Sequence, residues 1–208
     1  MTILFTSDNH FHHENILKFG RGDGQFQSIA HHDQILCNNW WVTVPENATV
    51  YVLGDVALGD TYKSLQLFKN LPGHKILIPG NHDKIFSGNS KTHIEKWWKV
   101  YEEVGFEIYP EISEINISTE TKGEVPVLLS HFPYETTEFE NSKKDKFKNQ
   151  RPIFEKKPLI HGHTHSKNIF NPNNIYEFHV GVDAHNFAPV PEKEISDWLE
   201  SLFERKIV

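Results

Sequence analysis

The sequence predicts an α/β fold, a largely parallel sheet with helices on both faces. Three observations carry the prediction. Short β-branched runs alternate with stretches of helical periodicity through the first half of the chain, and glycine or proline punctuates the junctions. Strand, helix, strand, helix, strand at these lengths is the pattern of βαβ units. The 208 residues suffice for a substantial core. With no repeat or linker to divide them, one domain over residues 1–208 is expected.

Residues 2–6 (Thr-Ile-Leu-Phe-Thr) read as a buried strand, and residues 15–19 as a helical turn broken by Gly20-Arg21-Gly22-Asp23-Gly24. Ser28 is placed to N-cap a helix towards Trp41, with Ile29, Leu36 and Trp40 on one face. Residues 49–53 (Thr-Val-Tyr-Val-Leu) give a second strand. Residues 62–71 carry Leu65, Phe68 and Leu71 at helical spacing and stop at Pro72-Gly73; a third strand follows at 75–79. The second half is less regular. Residues 92–104 read as a helix whose Trp97, Trp98 and Tyr101 serve the core. Residues 111–118 alternate as an edge or antiparallel strand does. Residues 125–130, 158–160 and 176–182 read as further strands, and about 192–205 as a C-terminal helix. The longest irregular stretch, 132–158, reads as a functional loop.

Five short motifs close hydrophobic runs in order: Asp8-Asn9-His10, Gly54-Asp55, Gly80-Asn81-His82-Asp83, Ser130-His131 and His161-Gly162-His163-Thr164-His165. Six of the fourteen histidines lie inside them, a placement that random surface scatter does not produce. Ligands of open α/β sheets bind beyond the carboxyl ends of the strands, so the motifs are expected to converge on one rim. There they supply two carboxylates, an amide oxygen and several imidazoles, a donor set for two divalent transition ions. Asp55 is the natural bridging carboxylate, because Gly54 lets the backbone approach. Asp8 and His10 alternate on an extended segment and reach one ion together, while Asn81 offers a neutral oxygen to the other. His163 and His165 share the same spacing and grip from a short extended turn. Two ions roughly 3.5–4 Å apart clamp both oxygens of an in-line phosphoryl displacement.

The ordered set D-x-H, G-D, G-N-H-[DE], H and G-H-x-H resembles the pattern of the calcineurin-like metallophosphoesterases and runs from Asp8 to His165. The resemblance implies that family's sandwich of two mixed β-sheets flanked by helices. It implies one ion on Asp8, His10, Asp55 and His165, and another on Asp55, Asn81, His131 and His163. His82 is then the non-ligand histidine that contacts the scissile phosphate and protonates the leaving oxygen. The cofactor expectation is two divalent ions, Mn²⁺ first, with Fe²⁺, Zn²⁺ or Ni²⁺ as alternatives. A water bridging two cations has its pKa pulled far below that of bulk water, which gives hydroxide near neutral pH. His82 acts as general acid towards the departing alkoxide. Asp83 either orients its neighbour or a ligand histidine by hydrogen bonding, or N-caps a helix.

Weaker candidates surround this set. Phe11-His12-His13-Glu14-Asn15-Ile16 and Gly181-Val182-Asp183-Ala184-His185 resemble segments of a small bacterial and phage branch of the same superfamily. His13 and Asn15 are therefore candidate substrate contacts, with a structural or surface role as the alternative, and His185 reads as structural. Arg21 is a candidate phosphate contact, and His161 is expected behind the ligands rather than among them. Residues 143–157 hold six lysines and Arg151 against Asp145 and Glu155, a stretch read as a solvated loop or as a flap over an anionic substrate. Protein Ser/Thr phosphatases of the superfamily carry arginines after G-D and near G-N-H-E. Here Val56-Ala57-Leu58 and Asp83-Lys84 stand instead, against a phosphoprotein substrate.

The net charge of −7 opposes an extended nucleic-acid footprint. A small phosphate ester is the expected substrate, a nucleotide among the candidates, with a diester favoured because His82 supplies the acid a poor leaving group needs. Cys37 is the sole cysteine, so no intrachain disulfide forms. The start of the chain lacks a basic signal-peptide region, and no run approaches the ~20 apolar residues of a membrane span, so a cytoplasmic protein is expected. Two rivals remain: an idle scaffold of the same fold that binds a partner protein, and a small nuclease. Retention of His82 and the ligands opposes the first, and the acidic balance opposes the second. Trp40, Trp41, Trp97 and Trp98 are read as core residues, with an interface as the alternative.

Overall fold

A computed structural model of the chain, describing residues 2–134 and 146–204, shows two five-stranded mixed sheets. The first sets β1 (Ile3–Thr6), β2 (Thr49–Val52), β3 (His74–Leu77) and β4 (Phe106–Ile108) in parallel, with β10 (Val190–Pro191) antiparallel beside β1. The second comprises β5 (Ile112–Thr119), β6 (Gly123–Ser130), β7 (Leu159–His161), β8 (Phe170–Asn171) and β9 (Asn174–His179). Its spatial order is β5-β6-β7-β9-β8, parallel across β6, β7 and β9 and antiparallel at both margins. Among the described residues the α-helices are α1 (Glu14–Lys18), α2 (Ile29–Thr43), α3 (Thr61–Lys69), α4 (Lys91–Glu103) and α5 (Glu192–Glu204).

Alternation along the parallel strands builds two cores. Leu4, Val50, Val52 and Leu77 face α2, α3 and α4 and meet Leu36, Trp40, Leu65, Phe68 and Tyr101. Their neighbours Phe5, Leu53, Ile76 and Ile78 face the other way, onto Val127, Leu129, Ile160 and Phe178 of the second sheet and Trp198 and Leu199 of α5. Each fully buried side chain of this kind contributes about 1.5–3 kcal/mol, so the first sheet is held from both faces. Caps set the helix starts: the Ser28, Asp60 and Ser90 side chains accept from the backbone N–H groups of His31, Lys63 and His93.

Several expectations need correction. The last strand stops at His179, because the chain then crosses to the first sheet: Gly181 bridges Ser7 and Val182 N–H donates to Ser7 O at 3.1 Å. Gly181, Val182 and Asp183 are thus a link between the sheets. Trp41 is 53% exposed, since it lies one helical step (about 100°) round from buried Trp40. Trp98 is 37% exposed on α4, its indole N–H donating to Glu102. Strands β4, β8 and β10 have only two or three residues, too few for a periodic signal. No helix among the described residues is long and apolar enough to cross a membrane.

Candidate metal centre

All five motifs leave C-terminal strand ends and meet on one rim. Asp8 follows β1, Asp55 follows β2, Asn81 follows β3, His131 follows β6, and His163 and His165 follow β7. Backbone hydrogen bonds stitch the loops together: Asp8 N–H to Gly54 O, His10 N–H to Asp55 O, and Gly162 N–H to His131 O, each at 3.0 Å. Side chains add to this, with His82 N–H donating to Asp55 Oδ1 at 2.8 Å and His163 N–H to Asp8 Oδ2 at 2.9 Å. Two glycines make the approach possible. A Cβ on Gly80 would stand 2.7 Å from Asp55 N, and one on Gly162 would stand 2.5 Å from Asp8 Oδ2.

The backbone of the candidate ligands is not extended as the spacing suggests. Asp8, His10, Asp55, His163 and His165 have φ of 60°, 48°, 53°, 69° and 50°. This left-handed conformation costs a non-glycine residue of order 1 kcal/mol or more and persists where surrounding contacts impose it, as the stitching does here. It lets alternate residues turn in different directions. His165 faces His10, with the two Nε2 atoms 3.2 Å apart, whereas His163 turns its Nδ1 to 3.1 Å from His131 Nε2.

Two clusters result. In one, His10 Nε2 and His165 Nε2 lie 3.9 and 3.8 Å from Asp8 Oδ1. In the other, His131 Nε2 lies 3.2 Å from Asn81 Oδ1 and 3.1 Å from His163 Nδ1. Asp55 Oδ2 stands between them, 3.6 Å from His10 Nε2 and 3.5 Å from His131 Nε2. Around an ion about 2.1 Å from each donor, neighbouring donors are ~3.0 Å apart in an octahedron and ~3.4 Å in a tetrahedron. The separations of 3.1–3.6 Å around His131 and Asp55 lie close to such edges, while the 3.8 and 3.9 Å from Asp8 Oδ1 are longer. Asp8 with His10 and His165, and Asp8 with Asp55 and His131, each bring ligand atoms within 4.8 Å of one another.

Electrostatics favour cations there. Burial and the facing Asp8 push the Asp55 carboxyl well above its ordinary pKa. Burial opposes ionisation of Asp8 too, but His131, His165 and His10 outweigh it and hold that carboxyl low. Burial lowers His10 and His131, and takes His163 down to about 3, so these rings stand neutral with lone pairs available, as ligation requires. Asp8 Oδ1, Asn9 Oδ1 and His10 Nδ1 are buried without a hydrogen-bond partner among the described residues. Crowded acceptors and unpartnered buried oxygens fit divalent ions.

The other predicted residues divide. His82 stands at the mouth, its side chain 44% exposed and its Nε2 3.9 Å from Asp55 Oδ2; partial burial, then His131, lowers its pKa. His13 lies beside the cluster, its ring centroid 5.5 Å from that of His10. Asp83 is neither a helix cap nor the partner of a histidine. It is fully buried, and its carboxyl accepts from the backbone N–H groups of Asp55, Gly80 and Val56 and from the Tyr101 hydroxyl, latching two ligand loops together. Burial, then Asp55, pushes its pKa up to about 7. His161 is buried behind the ligands, its Nδ1–H donating to Gly162 O at 2.8 Å.

Asn15 does not join the site. On the outer face of α1 its Oδ1 accepts from Lys18 Nζ at 2.9 Å. Arg21 is 5% exposed and not turned to an incoming phosphate, because its guanidinium donates to Asp8 O at 2.8 Å and to Asp183 Oδ2 at 2.6 Å. Of the basic stretch, residues 143–145 lie outside the described residues. Arg151 is buried, lies over the Phe132 ring and donates to Pro133 O, so its guanidinium is turned into the fold. His185 is structural, its Nε2–H donating to His179 O. Sequence reasoning missed Asp183, whose Oδ2 lies 3.0 Å from His165 Nδ1, and His179, whose ring lies 5.4 Å from that of His161. The only sequence signal for Asp183 is the G-V-D-A-H resemblance.

Loops of this composition converging on a sandwich of two mixed sheets define a metal-binding hydrolase class, and known proteins give the class its name. The sequence pattern of the family described as calcineurin-like phosphoesterase matches residues 1–192, and the chain belongs to that family of metal-dependent phosphoester hydrolases. The chain is 31% identical over 208 residues to the gene 66 protein of Mycobacterium phage L5, across 97% of this chain and 96% of the relative. It is 30% identical over 197 residues to the gene 66 protein of Mycobacterium phage D29, across 91% and 92%. Among solved structures, a protein of unknown function from Aquifex aeolicus is similar, with 27% identity and a TM-score of 0.60 across 94% of this chain and 98% of that one.

Proposed function

We propose that the protein hydrolyses a small phosphate ester, preferring a diester, at two divalent ions with His82 as general acid. Asp8, His10, Asp55 and His165 would hold one ion, and Asp55, Asn81, His131 and His163 the other. Mn²⁺ is the expected metal, and Fe²⁺, Zn²⁺ or Ni²⁺ suits the same donors. The observation that supports this reading most is Asp55, one of whose oxygens faces an imidazole from each cluster at 3.5–3.6 Å. When bound, the ions would lower the pKa of a water and neutralise charge on the phosphoryl oxygens.

The chain's own residues supply the rest. The His82 N–H to Asp55 Oδ1 hydrogen bond fixes the start of that side chain and leaves the ring at the solvent side of the cluster. From there it can reach the leaving oxygen of an ester bound at the rim. A phosphate alongside favours the imidazolium and counters the lowering of the His82 pKa by burial. The overall charge of −7 disfavours a long polyanion and leaves a small ester as the substrate.

Hydrolysis of bis-p-nitrophenyl phosphate beside p-nitrophenyl phosphate, with and without Mn²⁺, tests the proposal. Diester turnover that needs the metal is expected, with His82→Ala lowering kcat by about 10²–10⁴-fold while Mn²⁺ binding stays unchanged. A protein that binds two Mn²⁺ and turns over neither ester would overturn it.

A further inference from the structure

His165 differs from the other imidazoles at the rim in its surroundings. Its side chain is 35% exposed, against 2% for His10 and 0% for His131. Its Nε2 faces the cluster, and its Nδ1 lies 3.0 Å from Asp183 Oδ2 and 2.9 Å from Arg21 Nη2. We infer that Asp183, held in place by Arg21, is a positioning residue that fixes His165 as the Nδ1–H tautomer and so presents its Nε2 lone pair to a metal ion. The inference rests on the ligand set proposed above.

The two neighbours of Nδ1 make opposite demands. A carboxylate can only accept, so hydrogen bonding to Asp183 places the proton on Nδ1. An N–H of Arg21 aimed at Nδ1 would place it on Nε2 and remove that atom as a ligand. Nδ1 is nearly equidistant from the two, 2.9 Å from Arg21 Nη2 and 3.0 Å from Asp183 Oδ2, and the tighter Arg21–Asp183 pair decides between them. Arg21 Nη2 is nearer to Asp183 Oδ2 (2.6 Å) than to the ring, and a guanidinium and an imidazole converging on one oxygen must themselves lie close. The short Arg21–His165 distance is then a consequence of the shared acceptor.

Asp183 has little freedom to turn away. It sits in a 3₁₀ turn, Val182–Ala184, tied to the strand that leads into Asp8 by the Ser7–Gly181 bridge and by Val182 N–H to Ser7 O. Arg21 closes the unit from the other side, donating from Nη1 to Asp8 O at 2.8 Å and Asn9 O at 3.3 Å. One buried guanidinium therefore binds both the main chain of the first motif and the carboxylate behind the last. His131 has the same need met differently, its Nδ1–H donating to Leu53 O at 2.8 Å. Ligating histidines commonly give their second N–H to such an acceptor, and loss of it costs 10–100-fold in metal affinity or activity.

The test is Mn²⁺ titration of the full chain, following the EPR signal of the free ion, in wild type, Asp183→Asn, His165→Ala and the double variant. Asp183→Asn is expected to weaken one of two Mn²⁺ ions by 10–100-fold and to have no further effect once His165 is alanine. Nitrogen-15 NMR of the metal-free wild type, at a pH high enough to leave the ring neutral, should show His165 protonated on Nδ1 and bare on Nε2. An Nε2–H tautomer, an unchanged Mn²⁺ affinity in Asp183→Asn, or an equal loss on the His165→Ala background would overturn the inference. Should Asp183→Asn not fold, the wild-type tautomer decides alone. A wild type that binds fewer than two Mn²⁺ would instead bring down the ligand set and this inference with it, whereas two ions with an unaffected Asp183→Asn bring down the inference only.

Discussion

The two clusters at the rim use the same kinds of side chain and are held in different ways. His131 is fully buried and gives its Nδ1–H to the Leu53 carbonyl, a main-chain atom at the end of β2. His165 is partly exposed and rests on the Asp183 carboxylate and the Arg21 guanidinium, while the Nδ1 of its neighbour His10 has no partner among the described residues. A carbonyl at a strand end cannot be removed by substitution, and its direction is set by the fold. A charged pair can be altered one residue at a time. On the proposed ligand set, the His131 side is fixed by architecture, and the His165 side is where metal affinity would be tuned.

Asp55 is where this distinction can be broken outright, because its Oδ2 faces both sides. Asp55→Asn keeps the shape and removes the charge. Both Mn²⁺ ions are expected to weaken together, and turnover of the diester to fall by on the order of 10³-fold or more, equivalent to several kcal/mol of lost charge stabilisation. Weakening of one ion alone in the same EPR titration would show that the clusters do not share this carboxylate.

The same contrast separates what could be read from the sequence and what could not. Asp8, Asp55, Asn81 and His131 are legible because each ends an apolar run next to glycine or serine, and strand ends set their place on the rim. Asp183 is not, because it reaches His165 only when the chain crosses from β9 to the first sheet at Gly181, a long-range event with no local signal. Arg21 fails for a related reason: an arginine in a glycine-rich loop reads as exposed, and its burial against Asp8 and Asp183 is decided by packing across the fold. The left-handed backbone at Asp8, His10, His163 and His165 is equally hidden, since contacts between loops impose it against local preference. Main-chain support follows the strand pattern and is visible, whereas side-chain support is tertiary and is not.

Beneath the His10–His165 side lies a second ionisable layer, and pH sharpens the contrast. Burial, with His185 adding to it, lowers His179 from 6.5 to about 4. The folded chain therefore resists a proton that the unfolded chain accepts. This contribution to stability is complete above pH 6.5 and is lost as pH falls from 6.5 to about 4, amounting to about 3 kcal/mol across the full shift. Urea unfolding in the presence of chelator, at pH 7 and pH 4.5, should show a smaller drop for His179→Gln than for wild type. Equal drops would mean that His179 is already protonated in the folded state.

The smallest effect probes Asp55 from behind. Tyr101 is fully buried; its hydroxyl donates to Asp83 Oδ1 at 3.3 Å and accepts from Lys84 N–H at 3.2 Å. Asp83 in turn holds the backbone N–H of Asp55 at 2.9 Å and that of Gly80 at 2.8 Å. Tyr101→Phe keeps the packed ring and removes one donor, for a loss of about 1 kcal/mol in stability by urea unfolding. Asp83 retains its three backbone donors, so Asp55 is displaced little if at all. Because Asp55 faces both clusters, the proposed two-ion site predicts that any loss of Mn²⁺ affinity is small and the same for the two ions. Selective weakening of one ion would mean that Asp83 acts through Gly80 and the Asn81 loop, making it a support of the His131 side alone.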